Sequence, residues 1–306
     1  MSVTILKEDN LYIKDKEMEI ERVSEHGKYA TEAEYWENYY EHPDFKYEWV
    51  DGRLEEAGVS NIATYSMLKW IRMLLELYLD TTKAGMFVDH EFGFRLNIGG
   101  KISIRIPDLA VVLSDNPTKF KDSDNSFKGT YDLCIEAISE ETIRDIKRDT
   151  KDKVIAYQAV GIKEYYILHD EGEYLFFYRR NKFGFFDPIQ PINGDIISSD
   201  VLKGFNFRIS DLFRKPSLEE IVEDEMYSKF ALPVYKKQKQ IAEMERMRAA
   251  TERQIAESER QKAEMERIRA ELAEEKAEME RIRAELAEEK AERLAAKLRE
   301  LGISID

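Results

Sequence analysis

Three segments carry residue types out of keeping with their surroundings. Ile104-Arg105-Ile106-Pro107-Asp108-Leu109-Ala110-Val111-Val112 sets an aspartate inside an apolar, β-rich run. Asp suits a strand interior poorly and Pro107 removes a ladder donor just before it, so the break fits a carboxylate presented at a bulge or sheet end. Leu133-Cys134-Ile135-Glu136-Ala137-Ile138-Ser139 interrupts a second apolar strand with Glu136, and a buried carboxylate needs a partner or a metal. In the third segment, Asp149, Lys153 and Tyr157 stand at i, i+4 and i+8 on one helix face. Two carboxylates from neighbouring strands are what a hard divalent cation such as Mg²⁺, or Mn²⁺ in its place, takes, with water and phosphate oxygens completing its shell. A lysine beside them positions or deprotonates the attacking water and offsets charge on a phosphoryl transition state. The plainer alternative is an ion pair: Glu136 or Asp108 bridged to Lys153, with Asp149–Lys153 a helix-surface pair worth about 0.3 kcal/mol.

The elements that must position these groups alternate between helix and strand. Thr31-Glu32-Ala33-Glu34 fits a capping box opening a short helix to about Glu41. Tyr47–Val50 and Arg53–Glu55 flank Asp51-Gly52, a hairpin turn signal. Apolar residues from Ile62 to Leu79 recur with helical spacing. Strands are expected over 86–96, 102–113 and 131–138, a helix over about 143–160 ending at Gly161, and a strand over 164–168. Tyr174–Tyr178 and Phe183–Phe186 suggest a late hairpin, and Asn193-Gly194 a further turn. The pattern predicts an α/β core around a central mixed sheet.

The remaining composition narrows the field. A chain of 306 residues suggests about two structural units at roughly 150 residues each. The 34 aromatic side chains, 15 Phe, 16 Tyr and 3 Trp, cluster mostly before residue 215, so a sizeable core is available there. A formal charge of −15 speaks against holding nucleic acid by bulk charge, though not against a metal-dependent enzyme that cuts it. Cys134 stands alone, which excludes a disulfide framework, and the four histidines show no zinc-ligand spacing. No phosphate-binding glycine loop, dinucleotide fingerprint or GxSxG elbow is present. No apolar run reaches membrane-spanning length and the start MSVTILKEDN is too polar for a signal peptide, so a soluble cytoplasmic protein with no membrane partner is expected.

Beyond Pro216 the composition changes. AEMERIRAELAEEK occurs at 263–276 and again at 277–290. Met265, Ile268, Leu272, Met279, Ile282 and Leu286 then trace an a/d seam, weakened where Glu275 and Glu289 take alternate d positions. The tail is expected to be a long helix ending at Gly302, either a solvated single helix or a coiled coil that makes the protein a homodimer. The expected divisions are an N-terminal extension at 1–27, a body at 28–215, a connector at 216–235 and the Glu/Arg/Ala-rich helix at 236–302.

Tyr47-Glu48-Trp49-Val50-Asp51-Gly52-Arg53-Leu54, Pro107–Val111, Asp132–Ser139, the Asp149/Lys153/Tyr157 face and Gly161–Leu168 together resemble the Uma family of restriction-type endonucleases, part of the PD-(D/E)XK nuclease superfamily. The resemblance spans about residues 28–215. It implies a restriction-endonuclease-like mixed central sheet flanked by helices, and Mg²⁺-dependent hydrolysis of DNA phosphodiester bonds. Asp108 would be the motif aspartate and Glu136 the second acidic metal ligand. The superfamily lysine two residues after that acid is absent, since position 138 is Ile; Lys153 on the following helix takes its place, with Asp149 one turn before it. Glu48 matches an acidic residue that would support the metal through water. The histidine that many members carry at the start of the first long helix has no counterpart in 60–72. The competing class keeps this fold without catalysis: a nucleic-acid-binding or scaffolding protein that oligomerises through its tail.

Overall fold

The structure is a computed structural model describing residues 23–58, 60–138 and 142–300. It divides into two compact units, Met1–Tyr235 and Lys236–Asp306. In the first, the Thr31 hydroxyl accepts the Glu34 N–H while the Glu34 carboxylate accepts from Thr31 N–H, and this capping box opens helix Glu32–Glu34 and the π-helical turn Tyr35–Tyr39. Strands β1 (Tyr47–Val50) and β2 (Arg53–Glu56) form the expected hairpin, with φ of 45° at Asp51 and 89° at Gly52. Positive φ at both turn residues gives the twist that lets antiparallel strands pair across two residues. Tyr47 and Trp49 pack with Tyr35, Leu54 and Ile104, which leaves Glu48 on the opposite face of β1.

Helix Ile62–Thr82 is capped by Asn61, whose side chain accepts the Thr64 N–H. The stretches expected as single strands at 86–96 and 102–113 each divide in two: β3 (Gly85–Asp89) and β4 (Phe94–Ile98), then β5 (Lys101–Arg105) and β6 (Leu109–Leu113). The second division falls at Ile106-Pro107-Asp108, where proline cannot donate to a ladder. It also carries the chain from one sheet to another. β5 belongs to a four-stranded sheet ordered β2-β1-β5-β4. β6 belongs to a six-stranded sheet with β3, β7 (Leu133–Ile138), β8 (Glu164–His169), β9 (Phe176–Arg180) and β10 (Phe186–Pro188), ordered β10-β9-β8-β7-β6-β3. β7 and β8 pair in parallel and the other neighbours antiparallel, so this is the mixed sheet foreseen. A small third sheet joins β11 (Ile196–Ser198) and β12 (Asn206–Arg208).

Strand periodicity gives the six-stranded sheet two covered faces. Leu109, Val111, Leu133, Ile135, Tyr166 and Leu168 point one way and pack against helix Ile62–Thr82. Ala110, Val112, Cys134, Ile138, Tyr165 and Ile167 point the other way, toward Tyr157. Residues 216–235, expected as a connector, are instead part of this body. Ile221, Tyr227, Phe230 and Ala231 join the first of these cores, and the Trp70 indole donates to the Pro216 carbonyl at 3.1 Å. Apolar side chains at helical spacing were enough to bury that segment, which composition alone had set aside.

A helix over Ser228–Glu300 begins in the body and makes up the described part of the second unit. Met265, Ile268, Leu272, Met279, Ile282 and Leu286 all lie exposed along it, between 42% and 66%. The expected helix end at Gly302 and most of the N-terminal extension lie outside the described residues. Among the described residues, no helix is long and apolar enough to cross a membrane.

Candidate active site

Asp108 and Glu136 meet because β6 and β7 run antiparallel with Leu109 opposite Ile135. One step further along that register sets Asp108 beside the end of β7, and the Ala137 N–H donates to Asp108 Oδ2 at 2.8 Å. Period-two alternation turns both carboxylates to the sheet face that also carries Ala110 and Cys134. The helical stretch after β7 crosses this face. Thr142 caps helix Ile143–Lys147, a π-helical turn follows at Arg148–Asp152, and helix Lys153–Val160 ends at Gly161 with φ 93°. Such π-turns recur at functional sites because the wider turn redirects side chains.

Lys153 sits at the centre. Its Nζ lies 2.8 Å from Glu136 Oε2, 3.3 Å from Glu48 Oε1 and 3.3 Å from Asp149 Oδ1. One turn on, the Tyr157 hydroxyl donates to Glu136 Oε1 at 2.8 Å. All five residues nominated from sequence, Glu48, Asp108, Glu136, Asp149 and Lys153, therefore converge, with Tyr157 as an added partner. Two arginines join them that were not among the nominated site residues. Arg105 donates to Glu48 Oε2 and Glu55 Oε2, each at 2.6 Å, and Arg148 donates to both Asp149 oxygens at 3.1 and 3.0 Å. Arg105 occupies the polar phase of the alternating run Lys101-Ile102-Ser103-Ile104-Arg105-Ile106, which reads as a solvent-facing position, so the signal that exposes Glu136 in a continuous apolar strand is absent there.

Glu48, Asp108, Glu136 and Asp149 outnumber Lys153, Arg105 and Arg148, and the imbalance shows in their proton affinities. Burial pushes Glu136 up to about 8; Lys153 opposes this, but Asp108, Asp149 and Glu48 reinforce it. Partial burial likewise raises Asp108 against the pull of Lys153 and Lys46. Glu48 goes the other way. Burial would raise it, yet Lys153, Arg105 and Arg148 together hold it down at about 2. Lys153 is raised, because Glu136, Glu48 and Asp149 outweigh the burial that would strip its proton, so it stays an ammonium.

Asp108 and Glu136 line one small cleft of about 40 Å³, backed by Asp149 and Arg148. Among the described residues, no three carboxylate, imidazole or thiolate side chains gather closely enough to enclose a metal. What the cleft presents is a largely buried pair of carboxylates with too little positive charge around it. That donor set fits a hard divalent cation whose remaining positions go to water and phosphate.

The Uma2 family profile, described as "Putative restriction endonuclease", matches residues 32–210. The chain belongs to this family of restriction-endonuclease-like nucleases. Among solved structures, it is similar to one titled a "putative nuclease belonging to DUF820" from Anabaena variabilis ATCC 29413, at 13% identity and a TM-score of 0.45, over 57% of this chain and 93% of that one. No curated protein matches.

Proposed function

We propose that the chain is a divalent-metal-dependent endodeoxyribonuclease that hydrolyses DNA phosphodiester bonds at this centre. The observation that carries the proposal is the convergence of Asp108 and Glu136 on one cleft, with the Lys153 ammonium 2.8 Å from Glu136. In it, Asp108 and Glu136 would hold Mg²⁺, or Mn²⁺ in its place. A bound Mg²⁺ supplies positive charge at the phosphoryl oxygens and a more acidic water. Lys153, kept cationic and committed to Glu136, Glu48 and Asp149, fixes these carboxylates and adds positive charge beside the phosphoryl group; it does not take the water's proton. Tyr157 fixes the orientation of Glu136. Glu48 has its oxygens engaged by Arg105, the Ile106 N–H and Lys153, so it anchors the lysine and does not support a metal-held water. Asp149 does the same from the helix.

Plasmid cleavage with Mg²⁺, with Mn²⁺ and with EDTA tests this. Cleavage should require the metal, and Asp108→Asn and Glu136→Gln should each abolish it in folded protein. Wild-type activity in either folded variant removes the assignment. DNA binding without cleavage under any divalent metal would favour the non-catalytic scaffold instead. We further propose that two chains pair through the Met265–Leu286 seam, since a lone helix cannot bury an apolar stripe on itself.

A further inference from the structure

The positive charge around the acidic centre is almost entirely committed. Lys153, Arg105 and Arg148 each bond carboxylates, and Arg72, at the edge of the adjoining cleft, bonds Asp89 and Glu76. A phosphate approaching Asp108 and Glu136 therefore needs a cation that these ion pairs have not used. Lys46 supplies one. It immediately precedes β1 and stands two residues before Glu48, which sends its side chain to the same side of the strand. It is half-buried, and its ammonium makes no ion pair among the described residues. It lines the small cleft that holds Asp108 and Glu136, and also a larger cleft of about 330 Å³ that shares Asp108 and runs past Lys69 and Tyr65 on helix Ile62–Thr82. A third cleft, of about 530 Å³, shares Lys46 and His90 with the larger cleft and Lys46 and Ile106 with the small one. Lys69 is exposed and likewise makes no ion pair among the described residues.

Lys46 thus stands where the clefts join, beside the carboxylate pair, on a chain whose net charge of −15 would otherwise repel a polyanion. We propose that Lys46 binds a phosphate of the substrate strand next to the Asp108–Glu136 pair, and that the cleft continuing past Lys69 receives the neighbouring phosphate. This rests on the centre being one that cleaves phosphodiesters. Lys46 is then a substrate-positioning cation, distinct from Lys153, which is spent on holding the carboxylates.

The test is the affinity of the full chain for a fluorescent DNA oligonucleotide, by anisotropy in EDTA over a range of salt, beside plasmid cleavage in Mg²⁺. Lys46→Met should bind about tenfold more weakly, with a salt slope shallower by about 0.7–0.9, the share of one phosphate contact. Lys69→Met should show the same kind of loss, Lys46→Arg should restore binding, and Lys182→Met on the distant hairpin should match wild type. Lys46→Met with wild-type affinity and slope overturns the proposal, and if wild type still cleaves, the nuclease assignment stands without it. If Lys46→Met loses binding while folded Asp108→Asn cleaves normally, the phosphate site holds and the placement of the metal falls. No binding by wild type overturns the phosphate site, and it takes the nuclease assignment with it when wild type also fails to cleave in Mg²⁺.

Discussion

Lys153 holds three carboxylates within 3.3 Å in a setting closed to solvent, so each partner's removal has a sign that follows from charge. Glu48→Gln would leave Arg105 and Lys153 short of a buried counter-charge, and loss of a partner from such a pair costs about 3–5 kcal/mol. Urea unfolding at neutral pH should report that loss. Because Glu48 is held at about 2 in the fold against an ordinary 4.5, its contribution is present above about 4.5 and disappears as pH falls through about 2. The variant should therefore show a flatter acid limb than wild type. Glu136 behaves oppositely. Its carboxyl is raised to about 8, so the fold favours the protonated acid, and wild type loses stability as pH rises from about 4.5 through 8. Melting in EDTA should find Glu136→Gln gaining on wild type between pH 5 and pH 9. Adding Mg²⁺ at pH 8 should raise the wild-type midpoint and leave that of Glu136→Gln unmoved, since a ligand stabilises only the state that binds it.

At the scale of elements, the centre depends on where strands stop and helices turn. Ile106-Pro107-Asp108 ends one sheet and begins the next, which is why Asp108 faces a cleft although a long apolar run surrounds it. The helix that carries Lys153 and Tyr157 ends at Gly161, whose φ of 93° few residues other than glycine adopt. Nothing lies within 4 Å of a Cβ built there, so Gly161→Ala meets no clash and its cost is conformational alone. A destabilisation of about 1–2 kcal/mol is expected, with metal-dependent cleavage retained at temperatures well below the melting midpoint. A loss of activity without a loss of stability would mean the turn positions the helix more delicately than its contacts suggest.

Across the whole molecule, the boundary between the units falls after Tyr235. A fragment ending at Tyr235 should fold, keep the midpoint of the full chain and retain the centre. A fragment ending at Lys215 should not, because it loses Ile221, Tyr227, Phe230 and Ala231 from the core shared with helix Ile62–Thr82. Deleting several large buried side chains at about 2–5 kcal/mol each exceeds the stability of an ordinary domain. Circular dichroism of the two fragments separates these outcomes. In the second unit, light scattering of the full chain at micromolar concentration should give a dimer. Changing Ile268, Leu272, Ile282 and Leu286 together to polar residues should give a monomer with the body's melting transition intact.

How much of this was legible beforehand depended on whether the signal was local. The Thr31 capping box, the Asp51-Gly52 turn, helix Ile62–Thr82 and the 14-residue tail repeat are set by neighbours within a few positions, and each stood in the sequence as the structure has it. Asp108 and Glu136 also announced themselves, because a charged residue in an apolar run must have something to meet, whereas Lys153 stood out by its helical spacing from Asp149 and by the family resemblance. What it meets is not local. Arg105 became a partner of Glu48 and Glu55 only when β5 was brought against β1 and β2 over 50 residues of chain or more, whereas Arg148 meets Asp145 and Asp149 within its own helical stretch. The split of 102–113 between two sheets likewise needed strands from elsewhere to receive the halves. Residues 216–235 looked like a connector because the composition changes at Pro216 and a second proline follows at Pro233, and only the groove beside Trp70 and Tyr78 made burying their apolar side chains favourable. Sequence spacing decided which side chains share a face; burial among distant elements decided which charges are raised, which are held down, and that Lys153 remains a cation.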